Sequence, residues 1–391
     1  MSLNMLKLVK LLIDKAMPTL IFKETEACNS NCIYCDVIAR KKPCTISFDL
    51  LETVFIRINE YLEKYTNQNF SIVWHGGEPC IVGVKFYKKV LELLDKHCPN
   101  TKKRISHDIQ TNLTLINQEL IDVFKELGIN RVGTSYEPYK GIRGFGKDRD
   151  SDAYNRAFFR GIELIEKNGF SWGFIYVVTR SVIDKPLEIF NILTNFKVKG
   201  GFQLHPVYSY KNEDKNNVGI TAMEFADFLG IIFKEWWGHR QRYPFVQPFF
   251  SYMNHYGNGG TVCCSESGQC AYSHIFLGPN GEISHCGRSS DWDVFDVGNI
   301  KDISIIDAFN HAYRKDLEKR NEYLLANDCK GCEYFSLCHG GCPLDGWNYK
   351  DTIFAKSEWC AATKVFLKKY FEPITGLKFD SSKYEQLALS K

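Results

Sequence analysis

The sequence of 391 residues lacks an uninterrupted apolar run near the ~20 residues that a membrane-spanning helix needs. It also lacks an excess of charge of one sign, because 49 basic residues stand against 46 acidic ones. The composition therefore gives no reason to expect a membrane or a nucleic acid as partner. The apolar N-terminus is interrupted by Lys7 and Lys10 and has no small-residue cleavage site. We therefore expect a short amphipathic helix over residues 1–17 rather than a secretory signal, and a cytoplasmic protein.

Internal repeats and low-complexity tracts are absent too, and short apolar runs instead alternate with longer amphipathic stretches from residue 18 to residue 242. The runs rich in β-branched and aromatic residues predict strands over Thr19–Lys23, Phe70–His75, Arg104–Gln110, Arg131–Tyr136, Trp172–Val178 and Phe202–Tyr208. The amphipathic stretches predict helices over Ser47–Tyr65, Val84–His97, Gln118–Leu127, Ala153–Asn168, Pro186–Asn195 and Thr221–His239. Thr221, with Glu224 three residues later, is typical of a capping box. Six strand–helix units imply an α/β fold with a parallel sheet, either closed part-way into a barrel or open, with active groups at the carboxyl ends of the strands.

The regular alternation stops near Tyr243, and glycine, asparagine and cysteine then punctuate short segments. A region of this composition relies on metal or disulfide cross-links more than on one apolar core. We therefore expect an α/β domain over residues 18–242, a small irregular cysteine-rich domain over residues 243–375, and a tail over residues 376–391.

The 15 cysteines of a cytoplasmic protein need an explanation other than disulfides, because that compartment keeps thiols reduced. Cys28, Cys32 and Cys35 follow the first predicted strand with the spacing C-x3-C-x2-C. Three thiolates on one loop can hold a single metal centre, because thiolates select soft or borderline metals and iron–sulfur clusters. A structural zinc site prefers four ligands with paired C-x2-C spacing, which this loop does not offer.

This loop, in this place, resembles that of the radical S-adenosylmethionine (SAM) enzymes. The resemblance implies a partial (β/α)6 TIM-like barrel and a [4Fe–4S] cluster held by Cys28, Cys32 and Cys35, with one iron left open for SAM. It also implies that an electron from the cluster cleaves SAM to methionine and a 5′-deoxyadenosyl radical, which abstracts hydrogen from the substrate. A flavodoxin or ferredoxin would donate that electron.

Further segments match motifs of the same family in order. The segment His75–Pro79, which reads HGGEP, resembles the GGEP motif that meets the SAM amino group. Its glycines let the backbone approach a ligand closely, and Glu78 can accept from an ammonium group. Asn112 matches the family's TNG segment, although Leu113 replaces the glycine. The SAM contacts that the resemblance implies are Tyr34, Gly76, Gly77, Glu78, Pro79, Asn112, Ser135, Arg143 and Leu204.

Two arginines of one glycine-rich segment are candidates for the residue that would pair with the SAM carboxylate. Arg143, flanked by glycine and isoleucine, is our first choice and Arg149 is the alternative. The other interpretation is that both are solvated loop charges. Leu204 is by default a core residue of the sixth strand.

Eight more cysteines in the C-terminal region closely resemble the SPASM extension of radical SAM enzymes, which binds two auxiliary clusters. The resemblance implies one auxiliary [4Fe–4S] cluster on Cys264, Cys270, Cys286 and Cys342, and a second on Cys329, Cys332, Cys338 and Cys360. The local alternative is a zinc ribbon, and Cys263 can exchange roles with its neighbour Cys264. Cys44, Cys80 and Cys98 fit no cluster, and we expect them to be small buried side chains.

Because SPASM enzymes mostly modify peptides or proteins, the resemblance implies oxidation of a ribosomally made precursor peptide (a RiPP precursor) or a protein side chain, with a cross-link as our first choice. The alternatives are formylglycine formation of the anaerobic sulfatase-maturing type, a small-molecule dehydrogenation and, from another class, a non-catalytic iron–sulfur electron carrier. Sulfatase maturases place an aspartate base directly after the third cysteine of the first auxiliary set, but Gly287 stands there and cannot take a proton. The catalytic acid or base is therefore unknown. Since no N-terminal peptide-recognition domain is evident, we expect direct substrate binding or a separate recognition protein.

Overall fold

The computed structural model describes residues 18–379 apart from residues 36–42, 197, 199, 213–215, 244 and 257–262. The predicted helix over residues 1–17 and most of the predicted tail, residues 380–391, lie outside the described residues. The described chain forms two compact units, which we call the first unit (residues 18–173 and 272–314) and the second unit (residues 174–271 and 315–379). The domain boundary that we expect near Tyr243 stays a prediction.

The predicted strands and helices between residues 18 and 242 are present, with ends that differ by at most two residues. The strands of the described residues are β1 (Thr19–Phe22), β2 (Phe70–Trp74), β3 (Ile105–Gln110), β4 (Arg131–Ser135), β5 (Ser171–Val178), β6 (Phe202–Pro206), β7 (Val246–Gln247), β8 (His274–Leu277), β9 (Glu282–Ser284) and β10 (Asp296–Asn299). The α-helices are α1 (Phe48–Lys64), α2 (Gly83–His97), α3 (Gln118–Glu126), α4 (Ser151–Lys167), α5 (Pro186–Asn195), α6 (Ala222–His239), α7 (Phe249–Tyr256), α8 (Cys270–Ser273), α9 (Gly287–Asp291), α10 (Ile305–Phe309), α11 (Ala312–Ala326), α12 (Phe335–Cys338), α13 (Pro343–Lys350), α14 (Cys360–Phe366) and α15 (Glu372–Thr375).

The first unit is built on a sheet with the strand order β10-β9-β8-β1-β2-β3-β4. Strands β8 and β1 to β4 run parallel, with Phe22 opposite Trp74 on one side and Leu277 on the other. Strands β9 and β10 are antiparallel additions. In the second unit, β5, β6 and β7 are adjacent and parallel. Helices α1 to α3 and α5 form the crossovers that parallel neighbours require, which confirms the predicted α/β class with a parallel sheet.

Alternation of side chains gives the sheet of the first unit two different faces. On one face Phe22 stacks on Trp74 with ring centroids 5.1 Å apart, and Trp74 meets the edge of Phe86 from α2. These three rings are buried and belong to the core between sheet and helices. Lys23 and His75 directly follow Phe22 and Trp74, so they fall on the other face at the carboxyl ends of β1 and β2.

Helix α6 begins at the capping box expected from the sequence. The Thr221 hydroxyl accepts from the Glu224 amide at 3.2 Å, and the Glu224 carboxylate accepts from the Thr221 amide at 2.7 Å. Each side chain thereby satisfies one of the amides that the first helical turn leaves without a partner.

No helix in the described part of the chain combines the length and the apolar character needed to cross a membrane.

Candidate active site

The three-cysteine loop, residues 28–35, leaves the carboxyl end of β1 and is tied to a second loop of the first unit. The Asn31 amide donates to Gly144 O and the Ile33 amide donates to Ile142 O, both at 2.8 Å. The three thiols are half-buried rather than fully enclosed. Two backbone bonds on alternate residues thus fix the path of the loop and leave its sulfur atoms accessible to a ligand.

The three thiols lie near enough to act on one another electrostatically. Burial raises the pKa of Cys28 to about 11 and that of Cys32 to about 12, and the charge of Cys35 adds to both shifts, whereas Arg143 opposes them. Free thiols with such pKa values are protonated at neutral pH. Binding of a metal centre would hold them as thiolates and release their protons.

The described cysteine sulfurs are not spaced for a zinc ion that is held by three thiolates. Zinc–sulfur bonds of about 2.3 Å in a tetrahedron place the sulfurs about 3.8 Å apart. Within the described residues no three cysteine sulfurs lie within 4.8 Å of one another. Among the described residues the thiol geometry therefore does not support a zinc ion bound by three cysteine sulfurs.

Gly76 and Gly77 line a close approach between the end of β2 and the strand that enters the three-cysteine loop. The Gly77 amide donates to Thr25 O at 2.7 Å. A Cβ atom on Gly77 would lie 2.5 Å from Ala27 O and 2.6 Å from Glu26 O, which no side chain tolerates. Glycine is thus required here for backbone packing, and it leaves the edge of this turn without side chains.

Glu78 is buried and its carboxylate accepts three hydrogen bonds from the protein. The donors are Thr111 Oγ1 at 2.6 Å, the Asn112 amide at 2.7 Å and the Cys80 amide at 2.9 Å. Burial raises the pKa of Glu78, and these donors lower it again. The residue therefore fixes the ends of β2 and β3 relative to each other, and its predicted contact with SAM stays a prediction.

Asn112 connects the end of β3 to the three-cysteine loop. Its side-chain amide donates to Asn29 Oδ1 at 2.8 Å and to Ser30 Oγ at 2.9 Å. Leu113, which stands where the family motif has glycine, has φ 63°. Because the left-handed conformation favours glycine, this position explains the glycine of the family motif, and the buried leucine adopts it at some cost.

Arg143 lies in a buried network next to the three-cysteine loop. Its guanidinium donates to Glu137 Oε2 at 2.9 Å, to the Tyr34 hydroxyl at 2.6 Å and to the Tyr154 hydroxyl at 3.3 Å. Its charge lowers the pKa of the nearby Cys32 thiol. The structure thus brings Tyr34 of the three-cysteine loop to Arg143, which lies 109 positions later in the sequence. Glu137 and Tyr154 were missed because no spacing pattern singles them out.

The remaining predicted SAM contacts lie in different places. Arg149, the alternative to Arg143, has φ 50° and a buried Nε atom without a hydrogen-bond partner. Ser135 ends β4, where its hydroxyl accepts from Gln110 Nε2 at 3.4 Å. Pro79 opens the short helical turn after Glu78. Leu204 is buried in β6 of the second unit. The role of each toward SAM stays a prediction.

Four cysteines of the second unit form one electrostatic group, which we call the four-cysteine set (Cys329, Cys332, Cys338 and Cys360). Burial raises the pKa of Cys329 to about 11, and the charges of Cys360 and Cys332 raise it further. The same two neighbours raise the pKa of Cys338, after burial and Glu266. The structure therefore brings together the four residues that the sequence assigns to the second auxiliary cluster, while their ligand role stays a prediction.

Arg320 of α11 is a buried cation beside this set. Its guanidinium donates to the carbonyls of Ile353, His339, Gly340 and Ala355. Burial lowers its pKa, and the charges of Cys342, Cys270, Cys329 and Cys338 act in the opposite direction. Arg320 therefore lies near thiols of both predicted auxiliary sets. It was not singled out by the sequence, because a helical arginine without a motif is by default a surface residue.

The cysteines predicted for the first auxiliary cluster are divided between the units. Cys264, Cys270 and Cys342 belong to the second unit, whereas Cys286 of the first unit directly precedes α9. Cys264 is exposed, and its neighbour Cys263 lines a cavity of the second unit, 3.5 Å from Gln203 Nε2. The choice between Cys263 and Cys264 as ligand stays open.

The cysteines expected to be structural differ in burial. Cys80 and Cys98 are buried, with sulfur contacts to the Thr111 hydroxyl at 3.5 Å and to Phe55 O at 3.7 Å. Cys44 is half-buried, and its sulfur contacts Asn280 Oδ1 at 3.1 Å. Each thus has protein partners of its own in the first unit.

The chain combines a parallel α/β sheet, three thiols after the first strand and a second cysteine-rich unit. Together these features indicate an iron–sulfur protein. Two family models match the chain, the radical SAM superfamily over residues 24–193 and the SPASM iron–sulfur cluster-binding domain over residues 264–333. The chain belongs to the radical SAM superfamily and carries a SPASM domain. The family and the kinds of cofactor expected from the sequence, SAM and iron–sulfur clusters, are thereby confirmed.

Curated relatives of similar length include sulfatase-maturating enzymes. A serine-type anaerobic sulfatase-maturating enzyme of Bacteroides thetaiotaomicron is 24% identical over 337 residues, which is 81% of this chain and 80% of that protein. A cysteine-type anaerobic sulfatase-maturating enzyme of Clostridium perfringens is 26% identical over 380 residues, or 90% of this chain and 95% of that protein. The chain is therefore an enzyme of the radical SAM type. Its relatives include sulfatase-maturating enzymes, the type given above as the alternative to peptide cross-linking.

Solved structures agree on the fold. The structure titled native anSMEcpe with bound AdoMet and Cp18Cys peptide has TM-score 0.76 at 23% identity and covers 92% of this chain and 98% of its own. SuiB of Streptococcus suis bound to precursor peptide SuiA has TM-score 0.61 at 16% identity and covers 91% and 80%. These likenesses confirm the expected radical SAM fold with its partial barrel.

The first unit fits the cofactors that the family implies. Three thiols on one loop that act on one another electrostatically offer soft ligands for an iron–sulfur cluster. Gly76 and Gly77 let the turn after β2 pack directly on the backbone of residues 25–27, just before the three-cysteine loop. The cationic Arg143 offsets negative charge on the thiolates.

Proposed function

We propose that this chain is a radical SAM/SPASM enzyme that oxidises a ribosomally made peptide or a protein side chain, with a cross-link as the product we favour. The observation that carries the proposal is the three-cysteine loop, held by Asn112 beside the buried cation Arg143. The similarity to anSMEcpe with its Cp18Cys peptide and to SuiB with its precursor peptide SuiA supports a peptide substrate.

In the first unit, Cys28, Cys32 and Cys35 would hold the cluster that binds SAM. When bound, these groups supply a 5′-deoxyadenosyl radical that removes a hydrogen atom from a saturated carbon of the substrate. Asn112 keeps the loop in place through Asn29 and Ser30. Arg143 provides a fixed positive charge next to the thiolates, and Glu137 and the two tyrosines hold its guanidinium in position.

Cysteines of the C-terminal region would hold two auxiliary clusters, whose chemistry when bound would be electron transfer. We assign one to Cys264, Cys270, Cys286 and Cys342, and the other to the four-cysteine set. Arg320, near thiols of both sets, would limit their combined negative charge. On this proposal residues 18–242 and 243–375 are the functional domains, a flavodoxin or ferredoxin is the electron donor, and a separate protein or the chain itself recognises the peptide.

A second candidate, formylglycine formation of the sulfatase-maturing type, is favoured by the identity of the curated relatives. Gly287 weighs against it, because glycine offers no group that takes a proton at that position. The site has space for one, since a Cβ atom on Gly287 would meet only Phe276 Cδ2 at 4.0 Å. Formylglycine formation would therefore need a base elsewhere in the chain.

The test is anaerobic reconstitution followed by coexpression with any short peptide that a neighbouring gene encodes. Three four-iron clusters predict about twelve irons per chain, and reduction in the presence of SAM should release 5′-deoxyadenosine. A peptide that loses the mass of two hydrogen atoms and does not react with a hydrazide carries a cross-link, whereas a hydrazide-reactive peptide indicates formylglycine. Absence of 5′-deoxyadenosine from the reconstituted protein would contradict both candidates. It would favour the remaining alternative, a non-catalytic iron–sulfur electron carrier.

A further inference from the structure

A group of polar side chains stands at the carboxyl ends of β1 and β2, where neither the cysteine motifs nor the SAM motifs account for it. Phe22 and Trp74 are opposite each other in the parallel register, and both pack toward α2. The residues that follow them, Lys23 and His75, therefore lie side by side on the other face of the sheet. Backbone bonds fix both, because the His75 amide donates to Phe22 O and the Lys23 amide to Leu277 O, each at 2.9 Å.

Lys23 forms an ion pair with Asp291, the last residue of α9. Lys23 Nζ lies 2.5 Å from Asp291 Oδ1 and 5.2 Å from the centre of the Phe276 ring. The lysine is only 3% exposed, so its charge requires a partner. Gly287 begins the same helix, and its missing side chain would also contact Phe276. Helix α9 therefore brings Asp291 to the face where Gly287 leaves a space.

His75 stands next to this pair with one ring nitrogen available. Its Nδ1 atom lies 3.3 Å from Gly76 O. A carbonyl oxygen can only accept, so Nδ1 carries the hydrogen and Nε2 carries the lone pair. Among the described residues Nε2 has no hydrogen-bond partner, and the side chain is exposed on this face. The ring is thus held as the tautomer that accepts a proton at Nε2.

We propose that His75 Nε2 accepts the proton that the substrate loses on oxidation, and that the Lys23–Asp291 ion pair is the positioning pair that sets its charge environment. This role rests on the proposed function. In a cross-link, one carbon loses a hydrogen atom to the SAM-derived radical, the partner X–H group loses a proton to His75, and one electron passes to an auxiliary iron–sulfur cluster while the C–X bond forms. Dehydrogenation of a CH–XH group has the same balance.

The charges around His75 suit a base that works near neutral pH. The side chain is exposed on one side, but the residues packed around the imidazole remove part of its water, and this desolvation lowers the pKa of His75. The Lys23 ammonium lowers it further, whereas the Gly76 carbonyl and Asp291 raise it. The imidazole is therefore neutral at pH 7. Lys23 from β1 and Asp291 from α9 are the charged side chains that act on it within the described residues, so each offers a separate way to change its titration.

The first experiment measures the environment of His75 without a substrate. The anaerobic reconstituted holoenzyme is treated with diethyl pyrocarbonate across a pH series, and modification of each histidine is followed by peptide mass spectrometry. We expect His75 to react with a midpoint below pH 6.5. Lys23→Gln should move the midpoint up, Lys23→Arg should leave it in place, and Asp291→Asn should move it down. The buried His107 and His285 are internal controls that should not react.

The second experiment uses the peptide identified by coexpression, with deuterium on its reacting carbon. In His75→Gln, deuterium should still reach 5′-deoxyadenosine, while modified peptide falls by about a hundredfold or more. The exposed His239→Gln is the matched control and should behave as the wild type. In Lys23→Gln, the acidic limb of product formation should move up in pH together with the midpoint of His75 modification.

Two results would overturn the proposal: modified peptide from His75→Gln at the wild-type rate, or a His75 midpoint that neither Lys23→Gln nor Asp291→Asn moves. Failure of the proposed function looks different, because the wild type would then make 5′-deoxyadenosine without deuterium and without a modified peptide.

Discussion

The three-cysteine loop and the four-cysteine set gather thiols in different surroundings. The loop presents three thiols beside Arg143, whose partners are a carboxylate and two tyrosine hydroxyls. The four-cysteine set lies beside Arg320, whose partners are four backbone carbonyls. Three protein ligands leave a coordination position for another molecule, as in catalytic metal sites. Four protein ligands close the site, as in structural metal sites. We therefore expect chemistry at the loop and electron transfer at the set.

The largest effect should come from removing the loop thiols. Alanine at Cys28, Cys32 and Cys35 should reduce 5′-deoxyadenosine to background and remove about four irons per chain, because the SAM-binding cluster loses all its ligands. Alanine at Cys332 should remove a similar amount of iron and stop peptide modification while 5′-deoxyadenosine still forms. Chromatography after anaerobic reduction measures both. Cleavage of SAM at the unmutated rate by the loop variant would contradict the assignment.

The buried ion pair beside the loop gives the next effect. Glu137→Gln leaves Arg143 without its charged partner and should lower the free energy of unfolding by roughly 3–5 kcal/mol. Asp108→Asn, in the exposed Arg131–Asp108 pair of the same unit, is the matched control and should cost less than about 1 kcal/mol. Hydrogen exchange in denaturant, read on peptides of each unit, measures both. Equal effects of the two substitutions would mean that the Arg143 network does not stabilise the first unit.

Glu24, just before the loop, should make the stability of the first unit pH-dependent. Glu24 is fully buried, and burial raises the pKa of its carboxyl to about 8 although backbone amides lower it in part, against about 4.3 in the unfolded chain. The folded state therefore keeps this proton to higher pH, so its contribution to stability is full below about pH 4.3 and is lost as pH rises through about 8.

Glu24→Gln should remove this dependence and, at pH 8.5, raise the free energy of unfolding of the first unit by on the order of 5 kcal/mol. Hydrogen exchange on peptides from β1 and β2 at pH 5.5 and 8.5, corrected for the intrinsic exchange rate, measures the change. Parallel pH dependence in the variant and the wild type would show that Glu24 is not the titrating group.

The smallest effect is expected at a cysteine outside both regions. Cys98→Ala removes a buried sulfur whose contact is Phe55 O, so it should cost about 1 kcal/mol of stability. Iron content and 5′-deoxyadenosine formation should stay at the wild-type level. Loss of iron from this variant would show that cysteine spacing alone does not separate ligands from structural residues.

The fold up to residue 242 could be predicted because its information is local. Strands β1, β3 and β4 alternate buried and less buried residues, and helices carry their own caps, as at Thr221. Strand β8 could not be placed in the same way. It has four residues, and its pairing with β1 joins positions more than 250 residues apart, for which one sequence contains no signal.

The residues of the candidate site also differ in whether local sequence or tertiary contacts identify them. Cysteine spacing and the GGEP segment are local, so the loop and the turn could be identified from the residues alone. The partners of Arg143 and the pairing of Lys23 with Asp291 depend on tertiary contacts. A lysine directly after a β-strand gives no indication that it is buried, or that an aspartate 268 positions later neutralises it.

The central claim, that the three-cysteine loop is the SAM-binding centre and the four-cysteine set is closed, is tested most directly by electron paramagnetic resonance of the reduced protein with and without SAM. We predict that SAM changes the cluster signal of the wild type and of a variant with alanines at the four-cysteine set. In the variant with alanines at Cys28, Cys32 and Cys35, SAM should change nothing. A SAM-dependent change that persists in this variant would contradict the account.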